Sequence, residues 1–252
     1  KQAEVREVAE PQAVEGAVKI AVKYCGVCGS DIGIFLGTHP RAKAPLIFGH
    51  EFLGVVEEDG KKFKKGDRVV TYPLLSCGHC RACREGNKHV CKVPEGVSDK
   101  AAVTVEPLAV IVHALHMVDF QARETAVVIG AGPIGILTGI ALLACGAEKV
   151  YISDIFEKRL ALAKELGMIP VNPNKESLKD IVLEGTDGEG CDVLFECSGS
   201  PSAAIEMTEI TRVRGRICMT AVHNNPHEVD LRQLNYKEQL LIGTRVYTQE
   251  EF

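Results

Sequence analysis

No stretch of this 252-residue chain stays apolar long enough to cross a bilayer. Gly, Lys or Asp interrupts every run before roughly 18 residues, which excludes a membrane-spanning helix. Basic residues are not in surplus: 29 Lys and Arg against 34 Asp and Glu leave a net charge of −5, so nothing argues for nucleic acid. The chain opens on Lys1, Glu4, Arg6 and Glu7 with no apolar leader, and it carries no repeat or low-complexity segment. With 46% hydrophobic and 25% charged residues the composition is that of a folded globular protein, and a cytoplasmic location is expected.

What the chain does have is cysteine. There are ten, and four of them (Cys77, Cys80, Cys83 and Cys91) fall within one fifteen-residue stretch, CGHCRACREGNKHVC. Reducing compartments keep thiols free, so a dense cluster there indicates a metal site before a disulfide framework. Two-residue gaps let successive thiolates converge on one ion, and a fourth closes a tetrahedron. Four sulfur ligands with no open position predict structural zinc. An iron–sulfur cluster is the rival and a redox disulfide pair the third choice. His79 and His89 are read as facing solvent.

Two halves differ in rhythm. The first is rich in short β-branched runs bounded by turn residues, such as AVEGAVKIAVKY, FLGVVEE and GDRVVTYP, which predict short strands of an antiparallel or barrel-like region. From about residue 107 strand and helix alternate. TAVVIG, KVYISDI, CDVLFECSG, GRICMTAV and QLLIGTRV are apolar strands; PIGILTGIALLAC and EKRLALAKELG are helices, the second capped at Gly167. Repeated βα units predict an α/β fold with a doubly wound parallel sheet. PLAVIVHALHMV, 107 to 118, is the connecting helix, and we place the domains at residues 1–115 and 116–252, with the cysteine lobe at about 77–91.

Directly after TAVVI comes Gly130-Ala-Gly132-Pro133-Ile134-Gly135, opening a helix. The first glycine allows a tight turn, the second lets backbone approach a pyrophosphate, and the third lets helix and strand pack closely. The helix N-terminus adds free N–H groups and its positive dipole end. A second strand ends at Asp154, 24 positions past Gly130, where an acid would accept bonds from a ribose 2′-hydroxyl and repel a 2′-phosphate. The pattern predicts a Rossmann cofactor domain that favours NAD over NADP. A strand-end cap is the plainer role for Asp154. Arg159 is expected either over the adenine or near its ribose, or simply exposed on its helix.

The ordered set CGVCGSD (25–31), GHE (49–51), GDRV (66–69), the four-cysteine lobe and EPLAV (106–110), followed by the glycine fingerprint, resembles the zinc-containing medium-chain dehydrogenases. Within them it is similar to the polyol branch, which includes sorbitol, butanediol and threonine dehydrogenases. The resemblance covers almost the whole chain. It implies a mainly β, GroES-like catalytic domain before the cofactor domain, an enzyme with one catalytic and one structural zinc, and NAD as cofactor. It makes Cys28 and His50 catalytic zinc ligands, with Glu51 a ligand or a carboxylate close behind them, and Glu106 the acid that binds the metal or its water. Ser30 matches the hydroxyl that accepts the substrate's proton, and Asp31 the acid that orients His50. Cys25 is read as core, and Cys145, Cys191, Cys197 and Cys218 as inert packing. His113 and His116 lie on the connecting helix, as core or surface residues.

The activity so implied is hydride transfer between a secondary alcohol or polyol and NAD, the zinc lowering the alcohol's pKa and the nicotinamide held alongside between the domains. Relatives often pass the proton onward to a histidine soon after the Ser-Asp pair; here Ile32, Gly33 and Ile34 stand there, leaving water or Glu51 for that step. The resemblance further implies a closing segment beyond Phe252 and a homo-oligomer, dimer or tetramer, built through the edge strand LLIGTRV. Two other readings stand beside it: a zinc-containing dinucleotide sensor without turnover, and a zinc-free reductase, which the cysteine and histidine features disfavour.

Overall fold

The run Thr125–Ile129 is buried at every position, as a strand must be when both faces of its sheet are covered. A computed structural model describes residues 3–11, 17–38, 42–60, 62–73, 90–92, 95–223 and 225–252, with 90–92 and 249 as backbone alone. Contacts divide the chain into two compact units: one runs to Glu106 and takes in Phe252, and the other is Pro107–Glu251.

In the first unit β1 (Ile20–Cys25), β2 (Phe52–Val56), β3 (Arg68–Thr71) and β4 (Val90–Lys92) form an antiparallel sheet in that order, with α1 (Gly29–Leu36) between β1 and β2. The short helix α2 (Asp99–Ala102) starts where Ser98 Oγ accepts the Ala101 N–H at 3.2 Å, an N-cap that satisfies one of the orphan amides. Arg68 fastens this helix to β3, donating to the Val97 carbonyl at 2.8 Å and pairing with Asp99 at 2.6 Å. Leu53, Val70 and Ala102 form the core, with Phe252 packed against them and edge-on to Tyr72 at 5.5 Å.

The second unit follows α3 (Val105–Met117) with β5 (Thr125–Ile129), α4 (Pro133–Ala144), β6 (Lys149–Ser153), α5 (Glu157–Glu165), β7 (Ile169–Val171) and α6 (Leu178–Glu184). Then come β8 (Cys191–Glu196), α7 (Pro201–Ile210), β9 (Thr211–Met219), α8 (Leu231–Tyr236) and β10 (Leu240–Gly243). All six strands are parallel, in the order β10-β9-β8-β5-β6-β7. The chain therefore winds outward from β5 one way, then returns to β8 and winds the other way. That reversal opens a crevice at the carboxyl ends of β5 and β8, the place where open α/β sheets bind ligands. Alternate residues of β5 feed opposite faces: Val128 packs with Ile111, Leu142 and Phe195, while Val127 packs with Leu178, Leu194 and Met207.

The expected strands and helices of this unit are present, and β7, α6, α7 and α8 add to them. Their signals were short-range: Ser177 and Ser200 accept the amides of Asp180 and Ala203, and Pro201 stands at the first helical position. Among the described residues no helix is long and apolar enough to cross a membrane.

At the end of the unit Glu251, in a 3-10 turn, takes the Thr248 N–H at 2.7 Å and meets Nδ1 of His113 at 3.0 Å and of His116 at 2.9 Å. Burial pushes this carboxyl up, but Thr248 and the two histidines outweigh it and hold the pKa at about 2. A depressed carboxyl stabilises the fold above its ordinary value, and that contribution fades as pH falls through 4.5 toward about 2. Glu251→Gln should therefore lower urea stability by roughly 1.5–3 kcal/mol at pH 7. The gap to the unsubstituted chain should close as the pH is brought down to the folded-state value; a gap that stays constant with pH contradicts the clamp.

Candidate functional site

The antiparallel register of β1 and β2 sets Cys25 opposite Phe52, so the residues leaving β1 lie against those entering β2. The Gly26 N–H donates to the Glu51 carbonyl at 2.6 Å and locks the two segments together. A side chain at Gly26 would run into the Glu51 carboxylate, so the glycine is the space that carboxylate occupies. Gly49 turns the chain into β2 at φ +118°, a region open to glycine, and a Cβ there would press on Cys25 Sγ at 2.9 Å.

This junction gathers Cys28, His50 and Glu51, whose ligand atoms all lie within 4.8 Å of one another; among the described residues no other three metal-capable side chains are so gathered. Cys28 is the N-cap of α1 and is half-buried, as are His50 and Glu51. Asp31, in the first turn of the helix and 3% exposed, accepts the Cys28 N–H on Oδ2 at 3.0 Å, half of a capping box. Its other oxygen, Oδ1, is buried with no hydrogen-bond partner among the described residues and stands 3.5 Å from His50 Nδ1. The Cys28 side chain, within bonding reach of the imidazole, raises the His50 pKa to about 9; burial opposes this, and the charges of Cys28, Asp31 and Glu106 add to it. The imidazole thus holds a proton where a cation fits.

Thiolate, imidazole and carboxylate are the donor types zinc takes, and three protein ligands leave a position open. Asp31 behind the histidine stands where an outer carboxylate would fix a ligand imidazole. The residues present fit the ion. Glu106, in the first turn of α3, lies outside the three-residue cluster yet close enough to act on His50 by charge. Ser30 is half-buried on α1. Cys25, expected in the core, is exposed, because β1 is an outer strand of the described sheet; Cys145, expected as packing, is exposed at the end of α4. Cys191 and Cys197 are pushed up to about 12 by burial, which keeps them inert. Cys77, Cys80 and Cys83 lie outside the described residues, and of Cys91 only the backbone, on β4, is described.

In the second unit Gly130 leaves β5 at φ +102° and Gly132 is the N-cap of α4, with Pro133 at the first helical position. A side chain on Gly135 would collide with the Gly130 carbonyl, so this glycine is what lets the helix sit so close. Ile134 packs into the core beside Ala131 and Leu142. Asp154, 8% exposed beyond β6, accepts the Ala131 N–H at 2.9 Å, the Phe156 N–H at 2.9 Å and Arg159 Nη1 at 3.1 Å. It both caps the strand end and braces the glycine turn from across the sheet. Arg159 sits over the Phe156 ring at 4.7 Å. Sequence reasoning did not single out Glu196 and His223, which meet at 3.0 Å beyond β8 and β9.

Residues 14–118 match the alcohol dehydrogenase GroES-like domain and residues 133–252 the zinc-binding dehydrogenase family. The chain is 37% identical to a 2-dehydro-3-deoxy-L-galactonate 5-dehydrogenase of Pseudoalteromonas atlantica, over 96% of this chain and 79% of that one. It is 33% identical to a sorbitol dehydrogenase of Halalkalibacterium halodurans, over 96% and 80%. Its fold is similar to that of 2R,3R-butanediol dehydrogenase from Bacillus subtilis, with a TM-score of 0.87 and 30% identity over 98% of this chain and 82% of that one. With both units matched in order, and the Cys28, His50 and Glu51 cluster in the first and the glycine turn in the second, the chain belongs to the zinc-dependent, medium-chain alcohol dehydrogenase family.

Proposed function

We propose that this chain oxidises a secondary alcohol, and specifically a polyol or related polyhydroxylated compound, with NAD. The reading rests on one observation above the rest: three zinc-type donors from two segments converge with a buried, unsatisfied carboxylate behind them. A bound zinc supplies Lewis acidity toward an alcohol oxygen, and bound NAD accepts the hydride. Cys28, His50 and Glu51 would hold the metal, with Glu106 near enough to act on His50 by charge. Asp31 holds the His50 ring in orientation, its second oxygen free for the Nδ1 proton. Ser30 is the hydroxyl we assign to taking the substrate's proton, and Glu51 or water its way out.

Asp154 favours NAD, since a carboxylate at that strand end repels a 2′-phosphate. The names of the relatives, a sorbitol, a butanediol and a deoxy-galactonate dehydrogenase, favour a substrate with several oxygens. We assign Cys77, Cys80, Cys83 and Cys91 to a second, structural zinc, on the spacing of their thiols. The exposed Leu240 and Leu241 on the outer strand β10 support pairing with a second copy.

Elemental analysis should find about two zinc per chain, and Cys28→Ser should retain one of them while losing turnover with NAD. Two zinc retained in that variant would contradict the assignment. Asp31→Asn should weaken the catalytic metal by about 10- to 100-fold. Because His50 keeps a proton up to about pH 9 without metal, zinc must displace it. Apparent zinc affinity should then rise about tenfold per pH unit below that value, read by chelator competition at two pH values. A flat profile argues against His50 as ligand. Asp154→Asn, which keeps the shape and removes the charge, should narrow the preference for NAD over NADP by about tenfold or more in kcat/KM; unchanged discrimination would remove Asp154 from that role.

A further inference from the structure

Among the described residues Glu196 is the carboxylate with no exposure at all, and burying a charge is costly unless it is fully bonded. It stands at the end of β8. Oε1 accepts the Ser198 N–H at 2.9 Å, the Ser198 hydroxyl at 2.6 Å and the Gly199 N–H at 2.9 Å. Its backbone carbonyl takes the amides of Thr220 at 3.0 Å and Ala221 at 2.9 Å. Oε2 meets His223 Nε2 at 3.0 Å. One residue thus joins the turn leaving β8 to the turn leaving β9.

The far side of the His223 ring is unfinished. Nδ1 is buried and has no partner among the described residues, while the ring of His227 packs edge-on at 5.1 Å. With Glu196 holding Nε2, Nδ1 is left either as a bare lone pair or as an N–H, depending on where the proton sits. A hydroxyl can answer both. Buried polar atoms without a partner in the chain are the ones that ligands or ordered water complete.

Its place in the sheet says which ligand. The turn after β8 lies against the glycine turn: a Cβ on Gly130 would stand 3.0 Å from Ser198 N and 3.1 Å from the Cys197 carbonyl carbon. A doubly wound sheet has two mononucleotide-binding halves. The half containing β5, β6 and β7 carries the glycine turn and Asp154, and so the adenosine end. Glu196 and His223 belong to the other half, at the carboxyl ends of β8 and β9.

We propose that His223, held in orientation by Glu196, binds a hydroxyl of the nicotinamide-side ribose through Nδ1, with Glu196 as its positioning residue. The inference rests on the dinucleotide reading of this unit and extends it to residues outside the glycine fingerprint. Dissociation constants for NADH, ADP-ribose and ADP, from NADH fluorescence and its displacement, test it in the unsubstituted chain, His223→Gln and His223→Phe. Glutamine carries its amide nitrogen near the position of Nε2, keeping the tie to Glu196, and offers nothing at Nδ1. Both variants should bind NADH and ADP-ribose about five- to tenfold more weakly, with ADP, which lacks the second ribose, within about twofold. His223→Gln binding all three like the unsubstituted chain overturns the contact. Equal weakening of ADP also overturns it, since that marks a general loss of structure. Weakening of NADH without ADP-ribose would move the contact to the nicotinamide ring and overturn the ribose assignment. If the unsubstituted chain binds none of the three, the dinucleotide reading itself falls, and this inference with it.

Discussion

The first unit depends on one register. Pairing Cys25 with Phe52 brings CGVCGSD against GHE, and a slip by one residue would turn every side chain of the strand to the other face. The Gly26 amide on the Glu51 carbonyl is the lock at the open end of that pairing. A cluster built this way asks for small residues at the junction. Gly26 leaves room for a carboxylate, and Gly49 adopts a backbone conformation that a larger residue would strain.

Bringing donors together in the absence of metal has a cost that the local structure offsets. The Cys28 side chain favours a proton on His50, and Glu51 is only half-buried. Asp31 is the exception, with one oxygen capping α1 and the other left unbonded beside His50. The helix N-terminus favours a negative charge at this position, which helps an acid stay 97% hidden there. The unbonded oxygen stands 3.5 Å from His50 Nδ1, placed to accept that N–H if the other ring nitrogen held a metal.

The second unit repeats this logic with buried acids at strand ends. Asp154 braces the glycine turn after β5 through the Ala131 amide, and Glu196 braces the turns after β8 and β9. Loops at the carboxyl edge of a parallel sheet have no ladder to hold them, so their amides need acceptors from elsewhere. A carboxylate reaching up from the strand below supplies two or three at once. Such an acid shapes the crevice even where it touches no ligand.

Much of this was legible in the sequence. The continuous apolar strands, the glycine fingerprint and the acid after β6 all carry local signals, and the helices with Ser or Gly caps end where those residues stand. Cys28 and His50 are separated by 21 intervening residues, and only strand pairing joins them; the order of motifs carried that link, not the residues singly. Cys25 was misjudged because the resemblance, which gives the metal to Cys28, does not say what covers its neighbour, and β1 is exposed along nearly its whole length. The Glu196–His223 pair left no signal at all. An acid closing the apolar run CDVLF looks like the solvent-facing end of a strand, and a histidine 27 residues later looks like a loop residue. What joins them is the parallel pairing of Glu196 with Met219, which carries the chain on to His223 over the same strand end. Non-local pairing also made the metal cluster, and in both places it is the sheet that decides which distant residues become chemistry.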